Sequence, residues 1–155
     1  MMNQTPPAPH IRDFRPTPQN HAGPTATTSE ALGPAVYIYS RAQALADGNQ
    51  IEVIKQAAEV GIRYPVFLTR TVYDAYVAVP PSVDGQDEAR RLFDILNMTR
   101  FAIMRARPLT LRLSIVLYVR NDNDMPRLVK LVARCGPLDI DDIHPAMTIM
   151  MPAEY

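Results

Sequence analysis

The densest group of residues able to do chemistry lies near the C-terminus, where Asp139, Asp141, Asp142 and His144 fall within six positions. Carboxylate and imidazole groups bind divalent metals or activate water. Neighbours in an extended segment point to opposite sides, however, and both other histidines lie far away, near the N-terminus. We interpret Asp139–His144 as a solvated loop, with catalysis by Asp141, Asp142 and His144 as the alternative, and expect no metal or other cofactor.

Other arrangements for catalysis are incomplete. Asp122 and Asp124 resemble the start of a calcium-binding loop, but the glycine and the distant glutamate that such a loop needs are missing. Cys135, the single cysteine, is predicted on the inward face of a strand, where a structural thiol is expected. Ser40 and Ser114 have no nucleophile-elbow motif, and the six glycines are isolated, so there is no phosphate-binding loop. The sequence favours a protein without catalytic residues.

A basic surface is predicted on one face of two C-terminal strands. Apolar and polar residues alternate over Leu109–Arg120 and again over Arg127–Cys135, which is typical of half-buried strands. With Leu111 and Val129 pointing inward, the other face carries Arg112, Tyr118, Arg120, Lys130 and Arg134. Cations around an aromatic ring on an open sheet can bind single-stranded nucleic acid. A solvated face, an acidic protein partner or self-association are the alternatives.

A long amphipathic helix, Gln86–Arg107, precedes these strands and is predicted to cover their apolar side. At 100° per residue one broad stripe forms. That stripe contains Ala89, Leu92, Ile95, Leu96, Thr99, Ala102, Ile103 and Ala106. Asp87 is placed to pair with Arg91 four residues later, and Pro108 ends the helix.

Phe101 departs from this helical pattern. It points to the polar side of the helix, flanked by Met98 and Met104. Either the N-terminal helices cover this side, or the three residues form a contact patch for a protein partner, since aromatic residues and methionine are enriched in interfaces.

Shorter elements are predicted before the long helix. Capping residues and glycines delimit them. They are a strand at Val36–Tyr39, a helix at Arg41–Asp47 between Ser40 and Gly48, an extended segment at Gln50–Val53, a helix at Ile54–Val60 before Gly61, and a helix at Arg70–Val79 capped by Thr69. After the long helix, a polar loop at Gly136–Pro145 leads to a last strand, Ala146–Met151.

These elements predict an α+β fold. The short N-terminal helices and the long helix would pack on one face of a small antiparallel sheet of about three to four strands. Residues 35–155 would form this single domain. Residues 1–34 hold seven of the 15 prolines and few large apolar side chains, so we expect a disordered tail.

Composition limits the classes of function. Lys+Arg and Asp+Glu are both 16, so no net charge attracts the chain to nucleic acid or membrane. The single cysteine fits a reducing compartment, and neither a signal peptide nor a membrane-spanning apolar run is evident. We expect a soluble cytoplasmic protein.

The segment Tyr39–Gly48, with the sequence YSRAQALADG, is similar to the opening motif of an uncharacterised family of small bacterial proteins carried on plasmids and integrative elements. Further matches are Pro65-Val66, Leu68-Thr69-Arg70, Arg100-Phe101-Ala102 and Thr148-Ile149-Met150-Met151-Pro152. The resemblance covers about Val36 to Pro152, with Tyr73 where the family is expected to hold tryptophan. It implies an accessory protein of mobile DNA, and no particular activity.

Three functions remain as hypotheses. The first is a non-catalytic interaction protein of a mobile genetic element, which binds a host or element-encoded protein and forms a homodimer in one version; counter-defence is the role that the resemblance suggests. The second is a nucleic-acid-binding regulator that uses the basic sheet face. The third is an enzyme that uses Asp141, Asp142 and His144.

Overall fold

A computed structural model describes residues 38–155, which form one compact unit around a five-stranded sheet. The predicted tail, residues 1–34, lies outside the described residues. The helices are α1 (Arg41–Ala46), α2 (Ile54–Glu59), α3 (Arg70–Val72, continued by a π-helical turn at Tyr73–Val77) and α4 (Glu88–Arg105). The strands are β1 (Gln50–Glu52), β2 (Val66–Thr69), β3 (Arg112–Val119), β4 (Arg127–Asp139) and β5 (Asp142–Met150), followed by a 3-10 turn at Pro152–Glu154.

The sheet has the order β1-β2-β5-β4-β3. All neighbouring pairs are antiparallel except β2 and β5, which run parallel. One face of the sheet, the inner face, carries Leu113, Ile115 and Leu117 of β3 and belongs to the main core. The opposite, outer face carries the cross-strand row Phe67, Thr148, Arg134 and Arg112. Within the described residues no helix is both long and apolar enough to cross a bilayer.

Helix α4 supplies the largest apolar surface on the inner face. Asp87 caps its first turn by accepting a hydrogen bond from the Arg90 amide, 2.8 Å away. Leu92, Ile95 and Leu96 are buried under the sheet, as the helical periodicity predicts. Burial of three such side chains contributes about 1.5–3 kcal/mol each, which outweighs the small propensity terms of the helix itself.

The α+β class, the long helix and the three C-terminal strands are confirmed, but the predicted sheet is incomplete. Two further strands, β1 and β2, extend it, and the β2–β5 pairing makes it mixed rather than antiparallel. The Val66–Leu68 run lacks alternation because β2 is buried on both faces. The period-2 pattern that reveals a half-buried strand is therefore absent there.

The prediction that all helices lie on one face is also wrong. Helix α1 packs on the outer face, where the Arg41 guanidinium lies 4.2 Å from the centre of the Phe67 ring. Helices α2, α3 and α4 contribute to the inner core. Phe67 needs a cover of its own, because its two chain neighbours point to the inner face and it does not.

Several boundaries differ from the predictions. Leu109 has φ +66° and is 96% exposed, and β3 begins only at Arg112. Leu111 is 66% exposed and therefore does not point inward as predicted. The predicted loop at 136–145 is instead a hairpin, with Asp139 paired to Asp142 across a two-residue turn. Ile38 and Tyr39 are not in a strand, and the rest of that predicted strand lies outside the described residues.

Arg91 does not form the predicted pair with Asp87. Its side chain is only 5% exposed, and its guanidinium donates to the carbonyls of Tyr76 and Arg120 at 3.0 Å and to the Asn121 side chain. Burial lowers the pKa of Arg91, and the charge of Glu88 opposes that change. One buried guanidinium thus joins α4 to the π-helical turn and to the end of β3.

We expect Arg91→Ala to lower the free energy of unfolding by about 3 kcal/mol, because it leaves the part-buried carbonyls of Tyr76 and Arg120 without their donor. Arg91→Lys should recover only part, since an ammonium cannot reproduce the planar fork. Urea unfolding measures the free energy of unfolding of each variant. Arg90→Ala is the control: its side chain is 76% exposed beside Asp94, and it should change stability by less than about 0.5 kcal/mol. Equal effects of the two alanine variants would contradict the role assigned to Arg91.

Candidate functional site

The acidic cluster Asp139–His144 lies at the turn of the β4–β5 hairpin. Asp142 accepts hydrogen bonds from the His144 amide at 2.9 Å and from the His144 ring at 2.6 Å, and these bonds lower the pKa of Asp142. The His144 side chain is 83% exposed. In residues 38–155 no three His, Cys, Asp or Glu residues come together as a metal site would require. The hydrogen bonds of Asp142 with His144 therefore stabilise an exposed turn.

Asp139 has a structural role at the start of α1. Its two carboxylate oxygens accept from the amides of Arg41 and Ala42, each at 2.9 Å. The pKa of Asp139 lies below its ordinary 3.8, first because the Ile140 amide donates to the carboxylate and then because of the Ala42 amide. Spacing alone does not predict this contact, because it joins residues nearly a hundred positions apart.

Arg41 holds α1 against the outer face of the sheet. Its guanidinium donates to Gln50 of β1 at 2.6 Å, to the Thr148 hydroxyl of β5 at 3.0 Å, and to the Leu138 carbonyl of the hairpin. Ser40 and Gln43 form a reciprocal capping box in front of it. A cleft of about 310 Å³ lies beside Arg41, whose guanidinium nitrogens are already bonded within the fold, and Arg134 lines the same cleft from β4.

The residues of the predicted basic surface do not all come together. Arg112 and Arg134 are directly paired across β3 and β4, and neither forms a salt bridge with any residue in 38–155. Their guanidinium groups lie 4.5 and 5.9 Å from the centre of the Tyr155 ring, which offsets part of the repulsion between two cations. Tyr155 was missed because only the three-dimensional structure brings the end of the chain to this row.

The remaining basic-face residues are spread along the sheet. Lys130 pairs with Val116, and Tyr118, 69% exposed, pairs with Leu128, so both lie on the same face as Arg112. Arg120 follows the end of β3, and its guanidinium donates to the Asp84 carbonyl in a neighbouring loop. Four of the five predicted residues therefore lie on the outer face, namely Arg112, Tyr118, Lys130 and Arg134. Arg120 instead binds the loop that contains Asp84.

The proposed partner patch on α4 is divided between two surfaces. Phe101, 46% exposed, and Met98 line a groove of about 490 Å³ between α4 and β3. Met98 also lines a second groove that continues beside Val116 and Tyr118. Met104, 66% exposed, lies on the other side of α4, in a groove with Tyr64 and Arg100. The short helices cover neither Phe101 nor Met104 fully.

The open edge of β3 is the surface feature that sequence patterns did not identify. The Cys135 amide donates to the Leu111 carbonyl at 2.8 Å, so odd-numbered residues of β3 bond to β4. The amides and carbonyls of Arg112, Ser114, Val116 and Tyr118 consequently point away from the sheet. No other residue of 38–155 donates to or accepts from these groups. The groove with Phe101 and Met98 runs directly beside this edge.

Comparisons with known proteins identify no relative. No protein-family model, curated protein or solved structure matches this chain. The geometry of residues 38–155 is therefore the basis for assigning a function.

We expect Asp139→Asn to weaken the attachment of α1 in a pH-dependent manner. The depressed pKa means that ionised Asp139 stabilises the folded state above pH 3.8, and that this contribution is lost as the pH falls through the lower folded-state value. The Tm of the variant should therefore lie below that of the wild type at neutral pH, and the two should converge in acid. Asp141→Asn, at an exposed neighbour, is the control and should show no such convergence. A difference that persists in acid would contradict this role.

Proposed function

We propose that this chain is a non-catalytic interaction protein that captures an extended segment of a host protein at the open edge of β3. The observation that carries the proposal is a row of eight backbone groups on Arg112, Ser114, Val116 and Tyr118 that have no partner within residues 38–155. Exposed edges of this kind accept an added strand through main-chain hydrogen bonds. The pairing gives affinity, and the flanking side chains give selectivity.

The surroundings of the edge define the chemistry of the partner segment. On the inner side, Phe101 and Met98 offer an apolar groove beside the strand. On the outer side, Arg112, Lys130 and Arg134 give a positive surface, and none of the three forms a salt bridge within residues 38–155. A complementary strand therefore alternates apolar residues facing α4 with acidic residues facing the outer side.

The biological setting is part of the proposal. The resemblance of Tyr39–Gly48 and the later matching segments supports an accessory role for a mobile genetic element in the bacterial cytoplasm. In that role, the captured segment would belong to a host protein complex, such as one that acts in defence. Two of the groups able to do chemistry are held in the fold instead. Asp139 caps α1, and burial raises the pKa of the Cys135 thiol, which disfavours the reactive thiolate.

We expect an eight-residue peptide of alternating isoleucine and glutamate, labelled with a fluorophore, to bind the wild-type protein. The same peptide with lysine in place of glutamate should bind at least about tenfold more weakly, because its lysines lie beside Arg112 and on the same face as Lys130. Fluorescence anisotropy measures both affinities. Similar affinities for the two peptides would contradict the chemistry proposed for the partner.

Val116→Pro tests the edge itself. Proline removes an amide that points away from β4, so no hydrogen bond within the sheet is lost, whereas the added strand loses a donor. We expect at least about tenfold weaker binding of the acidic peptide. Val116→Thr keeps the β-branched shape and the amide, and should bind like the wild type. Retained binding by the proline variant would exclude β3 as the docking edge.

A second candidate function, binding of single-stranded nucleic acid, is favoured by the Arg112–Arg134 pair. Two guanidinium groups side by side, neither in a salt bridge within residues 38–155, match a phosphate backbone. Tyr118, on the same face and 69% exposed, offers a ring for base stacking. This function would use the outer face of the sheet rather than its edge.

If nucleic acid is the ligand, Arg112→Ala and Arg134→Ala should each reduce the slope of log affinity against log salt by about 1. Tyr118→Ala should weaken binding by about 1–3 kcal/mol through lost stacking. Gel shifts with short single-stranded RNA and DNA at several salt concentrations measure both effects. Arg90→Ala, an exposed cation on α4, is the control and should leave the slope unchanged. Binding that does not respond to salt would exclude this function.

A further inference from the structure

The free edge of β3 is suited to a second copy of itself. When two identical strands pair in antiparallel fashion, the position of the two-fold axis decides which residue of one copy lies opposite which residue of the other. An axis at Ile115 sets Ser114 opposite Val116, and Arg112 opposite Tyr118, in both directions. The four residues whose backbone groups point away from β4, namely Arg112, Ser114, Val116 and Tyr118, then exchange hydrogen bonds with the second copy. All eight of their amide and carbonyl groups gain a partner. An axis at Ser114 or at Val116 would pair only three of the four.

Side-chain chemistry favours the same register. Arg112 faces Tyr118 of the second copy on the outer side, where a guanidinium and an aromatic ring attract each other. The two Arg112 residues are six positions apart along the paired strands, or about 20 Å, so they do not repel strongly. Arg112, at one end of β3, is the only charged residue of the strand, and the strand contains no proline. The centre of the edge therefore holds none of the residues that usually block strand pairing.

The exposed apolar side chains of α4 lie near the centre of this arrangement. The groove that holds Phe101 and Met98 runs beside Arg112–Val116, and the second groove with Met98 begins at Val116. The level of Ile115 on β3 therefore corresponds to Met98 and Phe101 on α4. A two-fold axis at Ile115 brings these two side chains toward their counterparts, so pairing covers an aromatic ring that is 46% exposed in one copy.

We propose that two copies of this protein pair edge to edge through β3, about a two-fold axis at Ile115, and that this pairing masks the strand-binding edge. The proposal extends the proposed function, because both use the same backbone groups. A partner segment then binds only after the copies separate, so capture becomes weaker as the protein concentration rises.

Light scattering after size-exclusion chromatography, over a range of concentrations, tests the pairing with the full chain. The wild type should approach twice the mass of one chain at high concentration. Ser114→Lys with Val116→Lys sets like charges opposite each other twice and should give the monomer. Ser114→Glu with Val116→Lys sets Glu opposite Lys twice in the Ile115 register alone, and should restore the dimer. Both double variants contain the same lysine at 116, and circular dichroism checks that each folds.

A wild-type chain that is monomeric at every concentration overturns the proposal. A Lys/Lys variant that remains dimeric excludes the β3 edge, and a Glu/Lys variant that stays monomeric excludes the axis at Ile115. These outcomes are separate from the proposed function, because peptide affinity is measured on dilute protein. A monomer that binds the acidic peptide overturns self-pairing alone, and a dimer whose separated copies ignore the peptide overturns strand capture alone.

Discussion

The apolar stripe of α4 against the inner face of the sheet is the contact on which the architecture depends. Leu92, Ile95 and Leu96 cover the buried residues of β3. The apolar stripe of α4 and the inner face of β3 are each removed from water only by contact with the other. A helix covers the face of a strand but cannot form hydrogen bonds with its backbone. The same contact that completes the core therefore leaves the backbone groups at the free edge of β3 without partners in the part of the chain that the structure describes.

The outer face depends on a polar device instead. Arg41 reaches β1, β5 and the β4–β5 hairpin from a helix of only six residues, while Asp139 holds the first amides of that helix. Such a short helix has little stability of its own. Its attachment buries Phe67 of β2, whereas Arg112 and Tyr118 of β3, farther along the same face, stay exposed. These contacts give Ser40, Arg41 and Gln43 of the segment Tyr39–Gly48 structural roles.

Local patterns predicted the elements that local physics determines. The Ser40 and Thr69 caps, the left-handed Gly48 and Gly61, and the alternation along β3 follow from neighbouring residues, and each is confirmed. Strand β2 was missed because burial on both faces removes alternation. The face chosen by α1, the contact of Asp139 with its amides and the position of Tyr155 beside Arg112 depend on residues distant in sequence. No periodicity reports such contacts, so the site was predicted only as a set of separate surfaces.

The two sides of the sheet are unequal, and this inequality limits how the protein assembles. At one side, β1 has three residues, too few to template a further strand of useful length, whereas β3 has eight at the other. A chain with two long open edges adds copies without end and grows into fibres. With a single long edge in residues 38–155, one added strand uses the whole capacity of the sheet, so an assembly of the kind proposed closes after one step. The short β1 thereby opposes filament growth and leaves β3 as the edge for the proposed recognition.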